Sequence, residues 1–175
     1  MIRIVIAEDQ EMLLAAMGSL LNLEDDMEVV GQASNGEEAL FLTQRLKPDV
    51  CIMDIEMPEK SGLEAAEALK SSGCKIIILT TFARSGYFER ALNADVRGYL
   101  LKDGPSEELA CSIRSIMAGK RIYSPELMDD AHNGEVQKIN IQERASAEIN
   151  RQRTKFGTVR NYFSTIWDKM KLPAG

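Results

Sequence analysis

Asp49-Val50-Cys51-Ile52-Met53-Asp54-Ile55-Glu56-Met57-Pro58 decides how this chain folds. Its first half is a short apolar run, and its second half turns acidic and ends in proline. An apolar run of this length, flanked by turn signals, reads as a strand covered on both faces. Three other runs share the pattern, each ending at a polar residue. They are Ile2-Arg3-Ile4-Val5-Ile6-Ala7 before Glu8-Asp9, Lys75-Ile76-Ile77-Ile78-Leu79 before Thr80, and Arg97-Gly98-Tyr99-Leu100-Leu101 before Lys102.

Helical patterns fill the gaps between these strands. Met12, Leu13, Ala16, Met17, Leu20 and Leu21 recur at helical spacing, and residues 28–33 form a second short strand. Ser34-Asn35-Gly36-Glu37 and Ser61-Gly62-Leu63-Glu64 both carry the capping-box pattern that opens a helix. Gly73 is expected to end the third helix, residues 85–93 form a fourth, and a fifth runs from Pro105 to about Gly119. Strands alternating with helices predict an α/β fold. Its core is a doubly wound five-stranded parallel sheet in the order 2-1-3-4-5, with a short helical C-terminal segment.

In such a sheet ligands bind at the carboxyl ends of strands, beside the point where the winding reverses. The first and third strands flank that point, which brings Glu8, Asp9 and Asp54 together with Thr80 and Lys102 nearby. Three close carboxylates repel one another unless a cation offsets their charge, and a hard divalent ion such as Mg²⁺ suits them. A carboxylate can also attack phosphorus, and Asp54 is the candidate nucleophile. Lys102 would pair with the phosphoryl group and Thr80 would donate a hydrogen bond to it. Singly, each residue has an ordinary reading. Glu8-Asp9 could cap a helix, Thr80 could be a strand former, and Lys102-Asp103 could be a solvated turn. Their joint placement is what points to a site.

Composition is compatible with this picture. The chain has 175 residues, enough for one domain and a small appendage, with 45% apolar and 27% charged residues. No apolar stretch reaches the roughly 20 residues of a membrane span. The chain opens directly on a strand-like run without a targeting pattern, so membrane insertion is not expected and the expected compartment is cytoplasmic. Cys51, Cys74 and Cys111 are isolated, and His132 is the only histidine, which excludes zinc clusters and histidine-based triads. Residues 1–128 carry 13 Lys/Arg and 21 Asp/Glu, a net of −8, whereas residues 129–175 carry 8 and 6, a net of +2. An acidic body with a mildly basic tail fits a switch joined to an output segment.

The motifs resemble a known family. Val50-Cys51-Ile52-Met53-Asp54-Ile55-Glu56-Met57-Pro58 with Ser61-Gly62-Leu63-Glu64 is similar to the phosphoacceptor region of two-component response regulators, and within that family the chain most resembles the LuxR/NarL type. Ile4-Val5-Ile6-Ala7-Glu8-Asp9, Ile76-Ile77-Ile78-Leu79-Thr80-Thr81 and Gly98-Tyr99-Leu100-Leu101-Lys102-Asp103 match its other motifs in order. The resemblance implies a flavodoxin-like receiver over residues 1–122. It implies Mg²⁺ held by Glu8, Asp9, Asp54 and the Glu56 backbone carbonyl, and phosphorylation of Asp54 by a sensor histidine kinase. Thr80, Tyr99 and Lys102 would sense the phosphate, and a phosphorylation-linked homodimer would follow. The chain would not be an enzyme beyond self-phosphorylation and self-dephosphorylation. Asp103 stands where many receivers have proline, so a cis bond is not expected there. Phe82 is expected to slow dephosphorylation by shielding the acyl phosphate.

Residues 123–141 read as a linker, and residues 142–175 as a degenerate or truncated helix-turn-helix-like segment. Residues 156–162 and 168–172 resemble the recognition helix of that motif. Thr158, Arg160 and Asn161 are candidates for phosphate or base contacts, with Lys169 on the DNA backbone. The first scaffold helix is not recognisable. A DNA-binding transcriptional regulator and a receiver acting through protein contacts alone therefore both remain open. A third reading, a small phosphatase of the haloacid-dehalogenase type, draws on Asp54-Ile55-Glu56. Glu in the second position and the lack of a cap-domain insertion argue against it.

Overall fold

The computed structural model describes residues 1–81, 84–103 and 106–127. Phe82 and the candidate DNA contacts Thr158, Arg160, Asn161 and Lys169 lie outside the described residues, as do the linker beyond Leu127 and the helix-turn-helix-like segment. Strands β1 (Ile2–Ala7), β2 (Met27–Ala33), β3 (Val50–Met53), β4 (Lys75–Thr80), β5 (Gly98–Leu101) and β6 (Ile122–Tyr123) alternate with helices. The helices are α1 (Glu11–Leu21), α2 (Gly36–Leu46), α3 (Gly62–Leu69), α4 (Tyr87–Asn93) and α5 (Ser106–Met117). The strands form one parallel sheet in the order β2-β1-β3-β4-β5-β6. The expected order is therefore extended by one short strand at the β5 edge.

Alternation along the central strands explains the two layers of helices. Val5, Ala7, Cys51, Met53, Ile76 and Ile78 point to one face, where Ala39 of α2, Leu63 and Leu69 of α3, and Phe88 of α4 cover them. Ile4, Ile6, Val50, Ile52, Ile77 and Leu79 point to the other, under Leu13 and Met17 of α1 and Ile113 and Ile116 of α5. Each large side chain buried this way stabilises the fold by about 1.5–3 kcal/mol. Met12 belongs to the apolar stripe of α1 yet is 63% exposed, because the helix buries only the face carrying Leu13, Met17 and Leu21.

The helix starts hold the loops around the strand ends. At α3 the capping box forms as expected: Glu64 N donates to Ser61 Oγ, and Ser61 N donates to Glu64 Oε2. At α2 the cap is displaced by one residue from the expected Ser34. Asn35 Oδ1 accepts from Glu38 N at 2.8 Å, while Ser34 N and Oγ donate to Glu38 Oε2. The displacement makes Gly36 the first helical residue, where its N–H reaches the Lys60 carbonyl and a Cβ would lie 2.3 Å from that oxygen. Helix α3 ends at Leu69, ahead of the expected Gly73, which instead turns the chain toward β4 with φ +81°.

Candidate functional site

Four strands end at the same edge of the sheet, and each delivers one part of a polar cluster. Beyond β1, Glu8 N donates to the Ala33 carbonyl and the Glu8 side chain is fully buried. Beyond β3, Asp54 N donates to the Ala7 carbonyl, which fixes Asp54 beside the end of β1. Thr80 closes β4 and is buried, and Lys102 N donates to its carbonyl at 2.9 Å. Helix α3 presses against this edge so closely that a Cβ at Gly62 would lie 1.9 Å from the Asp54 carbonyl oxygen. Only glycine fits there, and its N–H bonds the Ile55 carbonyl.

Lys102 stands at the centre. Its Nζ lies 2.6 Å from Glu8 Oε2 and 2.8 Å from Asp54 Oδ2, with a side chain only 2% exposed. Asp54 Oδ1 accepts from Ile55 N at 2.7 Å, and Glu8 Oε1 accepts from Gln10 N at 3.3 Å. Burial pushes the Glu8 carboxyl up to about 7, outweighing the Lys102 ammonium that pulls it down; the Asp54 charge pushes it further up. Carboxylate oxygens of Glu8, Asp9 and the nearby Asp54 come within 4.8 Å of one another. One ammonium against three carboxylates leaves negative charge uncompensated, and an all-oxygen donor set fits a hard divalent cation.

The structure thus gathers Glu8, Asp9, Asp54, Thr80 and Lys102 at one edge. Glu56 follows two residues after Asp54, and its exposed side chain pairs with Arg84 at 2.5 Å. Tyr99 on β5 is fully buried, its ring centroid 5.7 Å from that of Phe88. No cis peptide bond occurs among the described residues, so Lys102-Asp103 is trans, as expected without proline. Phe88 and Tyr123 were not legible as partners of Tyr99. Phe88 falls in a short helix with weak periodicity, and Tyr123 reads as the start of the linker.

Comparison with known proteins shows the family. Residues 4–114 match the family described as response regulator receiver domain. The chain is 59% identical to the transcriptional regulatory protein DesR of Bacillus subtilis, covering 98% of this chain and 92% of DesR. It is 53% identical to the uncharacterized transcriptional regulatory protein YvfU of the same organism, covering 97% and 91%. A LuxR-family DNA-binding response regulator from Staphylococcus aureus superposes with a TM-score of 0.64 at 42% identity, covering 66% of this chain and 98% of that one. The receiver domain of the putative response regulator NarL from Mycobacterium tuberculosis gives 0.65 at 26% identity, covering 68% and 98%. By the family match over residues 4–114 and the identity to DesR across nearly the whole chain, the chain belongs to the two-component response regulators, among the LuxR/NarL-type transcriptional regulators.

Proposed function

We propose that Asp54 accepts a phosphoryl group from a sensor histidine kinase and that the receiver reports this event to its C-terminal segment. The observation that carries this reading is Lys102, buried between Glu8 and Asp54 at the strand ends. A buried ammonium shared by two carboxylates is poised to turn to a new anion. An Asp54 carboxylate oxygen attacks phosphorus, the P–N bond of the phosphohistidine breaks, and the imidazole nitrogen keeps the electron pair and takes up a proton. Lys102 then pairs with the phosphoryl oxygens, and the Thr80 hydroxyl donates to them.

Glu8, Asp9, Asp54 and the Glu56 backbone carbonyl would hold Mg²⁺. When bound, the ion offsets the carboxylates' charge and the charge developing on the phosphoryl oxygens. The chemistry is a single self-modification rather than turnover of an external substrate. The setting is cytoplasmic, and among the described residues no helix is long and apolar enough to cross a membrane.

Downstream, the reading is phosphorylation-linked homodimerisation with DNA-binding transcriptional output. The alternative is output through protein contacts, with DNA binding impaired or lost. A salt-dependent gel-shift titration separates the two outputs. The central claim is tested by intact mass after incubation with acetyl phosphate and Mg²⁺. One phosphoryl group on the parent and none on Asp54→Asn is expected; equal modification of both sinks the reading.

A further inference from the structure

Tyr99 and Tyr123 are register partners on the adjacent parallel strands β5 and β6. Partners in register leave the sheet on the same face, so their rings stand side by side. Phe88 of α4 touches both, at 5.7 Å from Tyr99 and 5.4 Å from Tyr123, the second contact edge-on at 81°. β6 is the last strand of the described sheet, so Tyr123 lies between Tyr99 and its open edge.

Tyr123 is itself held firmly. Its hydroxyl donates to the Val96 carbonyl at 3.1 Å and accepts from Arg121 Nη1 at 3.0 Å. Arg121 also pairs with Asp95, which binds Arg97 at 2.8 Å. The next residues are stitched to the switch strand: Ser124 N donates to the Tyr99 carbonyl at 2.8 Å, and Leu101 N donates to Ser124 Oγ at 3.4 Å. Leu127 closes the segment, 1% exposed, in the same core as Tyr99.

We infer that residues 121–127 form a lock on the switch, in which Tyr123 and Phe88 occupy the space the Tyr99 ring needs to turn out of the core. Tyr123 is then a positioning residue, and the segment docks only while Tyr99 is inward. The inference rests on the reading that phosphorylation of Asp54 favours inward Tyr99. Phosphorylation and docking of 121–127 then strengthen each other, because coupling between two sites is reciprocal. The signal reaches the start of the tail through the two ring contacts of Phe88 and two hydrogen bonds.

The test uses the full chain with Mg²⁺ and beryllofluoride as the phosphoryl mimic. By titration calorimetry, Tyr123→Ala is expected to weaken beryllofluoride binding about fivefold or more, and Tyr123→Phe, which keeps the ring, to restore most of it. A purely structural role would lower the melting temperature and leave that affinity alone, so equal affinity in parent and Tyr123→Ala overturns the lock. If Tyr123→Ala fails to fold, amide exchange on the parent decides. Slower exchange at Ser124 and Leu127 on adding beryllofluoride supports the lock, and unchanged exchange overturns it. Failure of the parent to bind beryllofluoride overturns instead the phosphoacceptor reading beneath it.

Discussion

Two clusters of charge sit at opposite ends of the sheet and behave in opposite ways. At the carboxyl edge, Lys102 meets Glu8 and Asp54 with all three side chains at most 9% exposed. At the amino edge, Arg114 of α5 meets Glu24 and Asp26 in the loop before β2, at 2.6 and 2.5 Å, with side chains 29–47% exposed. Both are one cation between two carboxylates. In the first, burial wins and pushes Glu8 up to about 7. In the second, hydrogen bonds from Arg114 win and hold Asp26 below the usual carboxylate range. Charge pairing alone therefore says little about stability, since desolvation decides the sign. The buried cluster is arranged against stability, whereas the half-exposed one holds α5 to the loop.

The largest test of this contrast is Glu8→Gln. A carboxyl raised from 4.5 to about 7 corresponds to about 3 kcal/mol of unfavourable ionisation near pH 8. Removing that charge is expected to stabilise the metal-free protein at pH 8 by about 1–3 kcal/mol in urea unfolding. The same change should remove most of the stabilisation that added Mg²⁺ gives the parent. A variant less stable than the parent at pH 8 would show that Glu8 supports the fold and would break the contrast.

Most of this arrangement could be read before the structure, for a physical reason. Strands covered on both faces are apolar throughout, so Ile76-Ile77-Ile78-Leu79 announces both its type and its place, and the polar residue after it marks the ligand edge. What was hidden depends on contacts between distant segments. The two residues of β6 are too few for a period, and become a strand only because β5 offers an edge. The α2 cap moves to Asn35 because Gly36 must meet Lys60. Lys102 could be placed at the edge from sequence, but its position between Glu8 and Asp54 could not. The arrangement of Phe88, Tyr99 and Tyr123 followed β6 out of sight.

A pH series sharpens the same comparison at smaller amplitude. The folded-state value of Glu8 lies above its unfolded one, so its contribution to metal-free stability is fully present below pH 4.5 and is lost as pH rises through about 7. A cation needs the ionised carboxylate, so binding must displace this proton. Mg²⁺ affinity measured by calorimetry is expected to fall about fivefold from pH 7 to pH 6, with proton release in the same interval. A flat affinity over that interval would place Glu8 outside the metal's donor set.

The smallest effect belongs to the amino edge. Arg114→Ala removes both ion pairs from partly solvated partners, where exposed pairs contribute up to about 1 kcal/mol. Urea unfolding should show a loss of that order in dilute buffer, shrinking in high salt as screening replaces the guanidinium. The Asp26 carboxyl is held low in the folded state, so its contribution is present above the unfolded value of 3.8 and is lost as pH falls through the folded one. The variant should therefore lose less stability than the parent on acidification below pH 4, while its Mg²⁺ affinity stays at the parent value. A change in Mg²⁺ affinity would mean that α5 carries strain from one end of the sheet to the other, and the two clusters could no longer be treated as independent.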